Sequence, residues 1–538
     1  MAHMTWEAAQ EARKRLAREQ GTIVKDWGGK IAVALVYPNS YRVGMSNLGL
    51  QTLYKLFNSH RDIVCERVFW EGRPTPQKTS LLSLETQRPL TDFPVLAFTV
   101  SYELDYFNIV QVQKASGIPP LAADRNEEHP LIIGGGPCLT ANPEPLSLLF
   151  DAIAIGEGEA IAPGLLEVIT EGVSGSREEL RRALAAVPGI YVPGESQSVA
   201  RQWAADIDSF ATTSVALTPD TELGDMYLME IARGCGRGCR FCLAGFAFRP
   251  FRTRSLPNLL AQARVGLTYR KRLGLVGAAV SDHPELERLV TELRVMGAGV
   301  GVSSLRIKPL SETVLRAIAE SGTQTVTLAP EAGSERLRRA INKSFTGDDI
   351  LSAIDKAAGL GLRQIKLYFM VGLPGETDDD VRDLITLVRS CLGLLERRQA
   401  GTRLTLNVGP FVPKAGTPFQ WRGMAPADVL EGRLKMIRAD LKHKGVEIKP
   451  ESVGWSQVQA VLSRGDPRLG RVLAGLTKDS LAAWGQALEQ EGIELEADAC
   501  RELTAGDKLP WDVVSSGAET AYLRRELGRA LGEDTPPA

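Results

Sequence analysis

Short apolar runs alternate with helical stretches through most of this 538-residue chain, and that alternation narrows the folds open to it. Ile31–Tyr37, Val64–Phe69, Val95–Val100, Leu131–Ile133 and Ala152–Ile155 read as strands bounded by turn residues. A second series follows at Tyr227–Ala232, Leu275–Val280, Val300–Leu305, Thr325–Leu328, Gln364–Val371 and Leu404–Val408. Strands separated by helices pair in parallel, with helices covering the sheet. The first series predicts an α/β domain with a Rossmann-like parallel sheet. The second predicts a partial (β/α)6 barrel of the TIM type, with its chemistry at the carboxyl ends of the strands. The expected divisions are an N-terminal helix in 1–25, the Rossmann-like domain in 26–200 and the partial barrel in 201–425. A mainly helical C-terminal domain, with one short strand at Val446–Lys449, is expected in 426–538.

Three of the seven cysteines stand in Arg233-Gly-Cys-Gly-Arg-Gly-Cys-Arg-Phe-Cys242, a C-x3-C-x2-C spacing that follows the strand at Tyr227. Thiolates are the usual ligands of iron–sulfur clusters, and a cubane cluster has four irons. Cys235, Cys239 and Cys242 therefore leave one iron open to a small molecule that chelates through an amine and a carboxylate. The plainer reading is a zinc loop or three buried thiols. Zinc takes four protein ligands or keeps an open catalytic position, and no histidine lies nearby to complete such a site. Cys65, Cys138, Cys391 and Cys500 stand singly and read as small buried hydrophobes. They form no second C-x-x-C group, and an odd count without framework spacing argues against a disulfide fold.

The cysteine segment closely resembles that of radical S-adenosylmethionine (SAM) enzymes. The resemblance implies a 4Fe–4S cluster on Cys235, Cys239 and Cys242. It also implies reductive cleavage of SAM to methionine and a 5′-deoxyadenosyl radical, fed by a one-electron reductant such as flavodoxin or ferredoxin. The strand ends carry Ser281-Asp282, Arg306 with Lys308, Ala329-Pro-Glu-Ala-Gly-Ser-Glu335 and Met370-Val-Gly-Leu-Pro-Gly-Glu376. Phe241 and Val371 can offer adenine main-chain and apolar contacts. Glu331, supported by its Pro-Glu-Ala-Gly-Ser run, can accept from ribose hydroxyls or the amine. Arg306 or Lys343 can hold the carboxylate. Ser281 and Asp282 are either cofactor contacts or a helix cap. Arg338 and Arg339 read as a solvated helix face. Phe246-Ala-Phe-Arg-Pro-Phe-Arg-Thr-Arg254, with Arg237 and Arg240, interleaves arginines with phenylalanines. That run reads as cluster packing and charge neutralisation rather than as a base-stacking patch.

Residues from Ile31 to Glu159 resemble the cobalamin-binding domain that precedes many radical SAM domains. The match rests on the loop at Ser101, the glycines Gly134, Gly135 and Gly136, the Thr140-x-Asn-Pro-Glu144 segment, and Gly156-Glu-Gly-Glu159. It implies corrinoid contacts at Ser101, Gly134, Gly135, Gly136 and Gly156. One departure stands out: the loop after the first strand has no histidine to ligate cobalt. Many radical relatives also lack it, so two readings stay open, a domain that binds cobalamin and one that only shapes a substrate cleft.

With Phe411-Val-Pro-Lys-Ala-Gly-Thr-Pro-Phe-Gln-Trp421, Ser463-Arg-Gly-Asp-Pro-Arg-Leu469 and Leu509-Pro-Trp-Asp512, the likeness extends to a largely uncharacterised family of cobalamin-domain radical SAM proteins. Asp466, Trp511 and Asp512 read as structural. The leading function is cobalamin-dependent methylation of an unactivated carbon. The alternatives are cobalamin-free modification of RNA or another macromolecule, and a non-catalytic iron–sulfur scaffold or sensor. The lack of a second cluster argues against methylthiotransferase chemistry. A net charge of −2 gives no global attraction to nucleic acid or to an anionic membrane. No apolar run reaches about 18 residues, and the chain reads as cytoplasmic. Gly532 to Ala538 reads as a disordered tail.

Overall fold

The computed structural model describes residues 2–72, 81–399, 401–442, 446–504 and 506–532, which leaves 533–538 of the expected tail outside the described residues. The chain forms two compact units. The first takes residues up to 226 together with 462–494 and 508–517. The second takes 227–461, 495–507 and the segment from 518 onward. The expected helical domain at 426–538 is therefore not a separate body. Its segments are divided between the two α/β units instead.

The first unit is built on strands β1 (Ile31–Tyr37), β2 (Ile63–Phe69), β3 (Val95–Thr99), β4 (Leu131–Gly135), β5 (Ala152–Ala154) and the edge strand β6 (Ile190–Tyr191). Their order is β2-β1-β3-β4-β5-β6, parallel except for β6. Every residue of β2, and all of β1 but Ile31, is buried. Near-continuous apolar strands are what a parallel sheet covered on both faces requires. The chain leaves β1 for β2 on one side and β3 on the other, so the strand order reverses between β1 and β3. Trp511 is buried in this unit and Asp466 binds Arg468, in keeping with their structural reading.

The second unit carries β7 (Tyr227–Glu230), β8 (Arg272–Val276), β9 (Gly299–Val302), β10 (Thr325–Glu331), β11 (Gln364–Val371), β12 (Arg403–Pro410) and β13 (Val446–Pro450). They form parallel sheets β9-β8-β7 and β10-β11-β12-β13, joined by a parallel bridge between Leu305 and Leu328. The barrel thus has a seventh parallel strand. The run at 446–449, assigned from sequence to the helical tail, pairs with β12 from Leu404↔Val446 to Val408↔Pro450. The strand expected at Leu275–Val280 begins earlier and ends at Val276. Ala279 and Val280 are apolar because they are buried in a turn, not because they extend the strand. No described helix is long and apolar enough to cross a membrane.

Candidate cluster and cofactor site

The cysteine loop begins where β7 ends, and its entry depends on a glycine. Gly234 has φ +78°, and a Cβ there would lie 2.1 Å from the Phe248 carbonyl oxygen. The rest of the loop is held onto the helix Glu335–Ala340 and the residues after it. Asn342, itself left-handed at φ +61°, donates to the carbonyls of Arg237 and Gly238 at 2.9 and 3.0 Å. Arg240 is only 7 % exposed and donates to the carbonyls of Arg339 and Ala340 at 3.1 and 2.7 Å. Those carbonyls end a helix, and that of Arg339 also accepts from the Asn342 N–H at 3.0 Å. The same guanidinium pairs at 3.0 Å with Glu526 on the last helix, Thr520–Leu531.

The arginine–phenylalanine run packs inward, as expected. Phe246 is buried, and the Arg249 guanidinium lies 5.0 Å from its ring centre and 5.1 Å from that of Tyr522. Arg233 and the buried Arg254 share the Glu230 carboxylate at 2.9 and 2.7 Å.

The three thiols of the loop feel one another. Burial pushes Cys239 up to about 11, Lys343 opposes the shift, Cys242 and Cys235 add to it, and Arg306 opposes it further. Burial also raises Cys242, while the backbone N–H groups of Ala244 and Gly245 pull it down and Cys235 and Glu331 raise it. Buried thiols raised in this way are inert as ligands until a metal charge deprotonates them. Among the described residues no group of three or more His, Cys, Asp or Glu converges on a single ion. A cubane does not need such convergence, because each thiolate takes its own iron. The donor set fits a three-thiolate iron–sulfur cluster.

The expected SAM contacts gather beside the loop, with one exception. A bulge between Leu328 and Glu331 ends β10, and Glu331 is left-handed at φ +67°. Such backbone costs of order 1–3 kcal/mol and persists where its surroundings fix it. Lys343 donates to the Glu331 carboxylate at 3.0 Å and to the Ala329 carbonyl at 2.8 Å. Its ammonium lies 6.0 Å from the centre of the Phe241 ring. Ser281 accepts from the Arg306 N–H at 3.1 Å, and Asp282 pairs with Arg237 at 2.6 Å and with Arg306 at 3.7 Å. The pair at 281–282 thus ties two strand ends together and is not a helix cap.

Val371 is the exception. It is fully buried on the same face as Ile365, Leu367 and Phe369, and Phe411 donates to its carbonyl at 2.8 Å. Met370, on the other face, packs as Phe241 does against the cluster of Ala332, Leu337, Ile341, Leu373, Phe411 and Phe419. Arg338 also differs from expectation. Arg339 is solvated, but Arg338 is buried and donates to the carbonyls of Ala332, Gly333 and Phe345, which locks the Pro-Glu-Ala-Gly-Ser turn.

In the first unit, Tyr37, Asn47, Ser101 and Asp105 meet at the carboxyl ends of β1 and β3. Asn47 donates to Ser101 at 3.3 Å, and Asn39 donates to Asp105 at 2.8 Å. Burial raises Tyr37, with hydrogen bonds to Ser101 and Asn47 opposing it. Burial likewise pushes Asp105 up to about 6. The buried Thr99 hydroxyl at the end of β3 has no hydrogen-bond partner. Gly136 and Gly156 serve the fold itself: at φ +126° and +131°, their Cβ atoms would lie 2.3 and 2.1 Å from the carbonyl oxygens of Val100 and Gln202. A Cβ on Gly134 would press on Leu139 and Phe150, whereas one on Gly135 would meet nothing closer than Ala154 at 3.4 Å. Thr140, Asn142 and Glu144 are likewise committed, accepting from Gly156 N–H, donating to the Ser463 and Gly465 carbonyls, and accepting from Tyr191.

Comparison with known proteins gives the family. A model of the N-terminal region of radical SAM proteins matches residues 49–193, and the radical SAM superfamily model matches residues 229–388. An uncharacterized protein of Methanocaldococcus jannaschii is 30% identical over 446 residues, covering 82% of this chain and 90% of that one. The ribosomal protein uS12 methylthiotransferase of Acaryochloris marina is 26% identical over 272 residues, 47% of this chain and 57% of that protein. Among solved structures, the radical SAM methyltransferase TsrM of Kitasatospora setae, with cobalamin and a 4Fe–4S cluster bound, has a TM-score of 0.52 at 14% identity, covering 86% of this chain and 99% of that one. That likeness is one of fold. The chain belongs to the radical SAM superfamily, and membership implies a 4Fe–4S cluster and SAM.

Proposed function

We propose that this radical SAM enzyme cleaves SAM reductively and uses the radical for cobalamin-dependent methylation of an unactivated carbon. The observation that carries the cobalamin half is the reversal of strand order between β1 and β3. Doubly wound sheets take their cofactors at that switch point, outside the carboxyl ends of the strands. The polar group there (Tyr37, Asn47, Ser101 and the unpartnered Thr99 hydroxyl) supplies donors and acceptors, and Gly135 supplies free space. TsrM, which shares the fold, is a methyltransferase solved with cobalamin bound.

The cluster, when bound, supplies the electron that splits SAM into methionine and the 5′-deoxyadenosyl radical. Cobalamin, when bound, supplies the methyl group. Cys235, Cys239 and Cys242 hold the cluster, and the anchored loop fixes their spacing. Glu331, oriented by Lys343, accepts from SAM hydroxyls or its amine, and Arg306 faces its carboxylate. Phe241 and Met370 offer the adenine an apolar wall and keep water from it.

A second reading is radical chemistry without cobalamin. It draws on the filled spaces at Gly136 and Gly156 and on the missing histidine after β1. Equilibrium dialysis of the cluster-loaded protein against hydroxocobalamin separates the two. Saturable uptake that Gly135→Trp abolishes, with iron content unchanged, supports the methyltransferase. Absence of uptake by the wild-type protein removes it in favour of the second reading.

A further inference from the structure

One face of the β10–β12 sheet is covered only in part: Thr405 on it is buried, while its neighbours on β10 and β11 keep some exposure. Along β11, Ile365, Leu367, Phe369 and Val371 are buried, while Gln364, Lys366, Tyr368 and Met370 alternate with them on the open side. Tyr368 is 42 % exposed although strands pair with it on both sides. Register places Lys366 between Thr327 and Thr405, and Tyr368 beside Asn407. Among the described residues, the side chains of Lys366, Tyr368, Asn407 and Thr327 make no hydrogen bond or ion pair. Barrels of this type normally fill their inner face with packed side chains. A partly exposed lysine beside an exposed aromatic ring offers a ligand a cation and a π-face, and one strand further on the Glu447 carboxylate accepts from Thr405 at 3.4 Å.

The chemistry of the wall defines that ligand. An exposed tyrosine ring stacks planar rings, and a lone lysine neutralises a phosphate. Asn407 offers a donor and an acceptor to a base edge. Glu451, whose carboxylate stands 2.7 Å from where a Gly409 Cβ would be, and Thr327 add partners suited to a 2′-hydroxyl. At the edge strand β13, Lys449 and Glu447 pair with each other at 3.2 Å and stay exposed, so a polymer can run past the wall. We infer that this face, centred on Tyr368 and Lys366, binds a nucleotide of single-stranded RNA and that the substrate of the proposed radical chemistry is RNA. The inference rests on the radical SAM reading, and either cobalamin alternative is compatible with it.

The test is fluorescence anisotropy of the anaerobic, cluster-loaded full chain with a fluorescein-labelled, mixed-sequence RNA of about 12 nucleotides, within the span that single-strand grooves cover. The wild-type protein should bind saturably. Tyr368→Ala should weaken binding by about 5- to 150-fold, the loss of one stacked base. Lys366→Met should weaken binding and reduce the slope of log K against log salt by about 0.7, the loss of one phosphate contact on a single strand. Both variants should keep wild-type iron content. Equal binding of the DNA strand of the same sequence, or equal displacement by uridine 5′-monophosphate at matched nucleotide concentration, would overturn the RNA assignment. Unsaturable binding by the wild-type protein, or variants indistinguishable from it, would overturn the site. Corrinoid dialysis reports on the methyltransferase reading alone, so the two can fail separately.

Discussion

Replacing Glu526 by alanine should loosen the cluster loop from a position nearly 300 residues away in sequence. Glu526 and Arg240 are 7 % and 8 % exposed in their side chains and pair at 3.0 Å. Breaking a buried pair from one side costs about 3–5 kcal/mol, because the remaining charge loses its partner. Arg240 would still donate to the carbonyls of Arg339 and Ala340, which puts the cost at the lower end, about 3 kcal/mol. Arg529, the other partner of Glu526, is 66 % exposed and adds little. For a unit of this size each kcal/mol moves the melting temperature by about 2–4 °C, so a fall of about 6–12 °C is expected. Calorimetry on the intact chain, with iron determined on the same samples, measures it. An unchanged melting temperature in Glu526→Ala would refute the view that this pair anchors the loop.

Two further outcomes follow from the sites. Glu331→Gln should weaken SAM binding by about 1.5–3 kcal/mol, the worth of a hydrogen bond to a charged group, with iron content unchanged; calorimetric titration with SAM checks it. Asp105, raised by burial to about 6, keeps its proton in the folded state over a range where the unfolded chain has already released it. Stability should therefore fall as pH rises from about 4 to about 6, and Asp105→Asn, which cannot ionise, should flatten that slope in denaturant unfolding. An identical slope in the variant would show that other groups set it.

The sheets were legible in the sequence because their signal is local. Ile31–Tyr37 and Gln364–Val371 stand out as apolar runs, and both strands form with those bounds. The cluster cysteines were legible for the same reason: a loop of eight residues carries the whole ligand spacing. What the sequence hid depends on distant partners. Arg338 looks like its solvated neighbour Arg339 until the Pro-Glu-Ala-Gly-Ser turn folds over it. Tyr522 and Glu526 sit in a charged helix that reads as surface, and nothing local ties them to Arg249 and Arg240. Val371 could have been placed by parity, since it shares the buried register of Ile365 and Phe369. The glycines at 136 and 156 admit close approach, but the atoms that approach belong to this chain.

The most direct measurement is SAM cleavage by anaerobically reconstituted protein given dithionite, with 5′-deoxyadenosine and methionine quantified against iron content. Wild-type protein carrying about four irons per chain should form both products in equal amounts. Cys235→Ala, Cys239→Ala and Cys242→Ala should lose iron and cleavage together, while Cys391→Ala, at a buried position outside the loop, keeps both. Normal cleavage by the Cys239 variant, or fully loaded wild-type protein that forms no 5′-deoxyadenosine, would contradict the assignment of radical SAM chemistry to this loop.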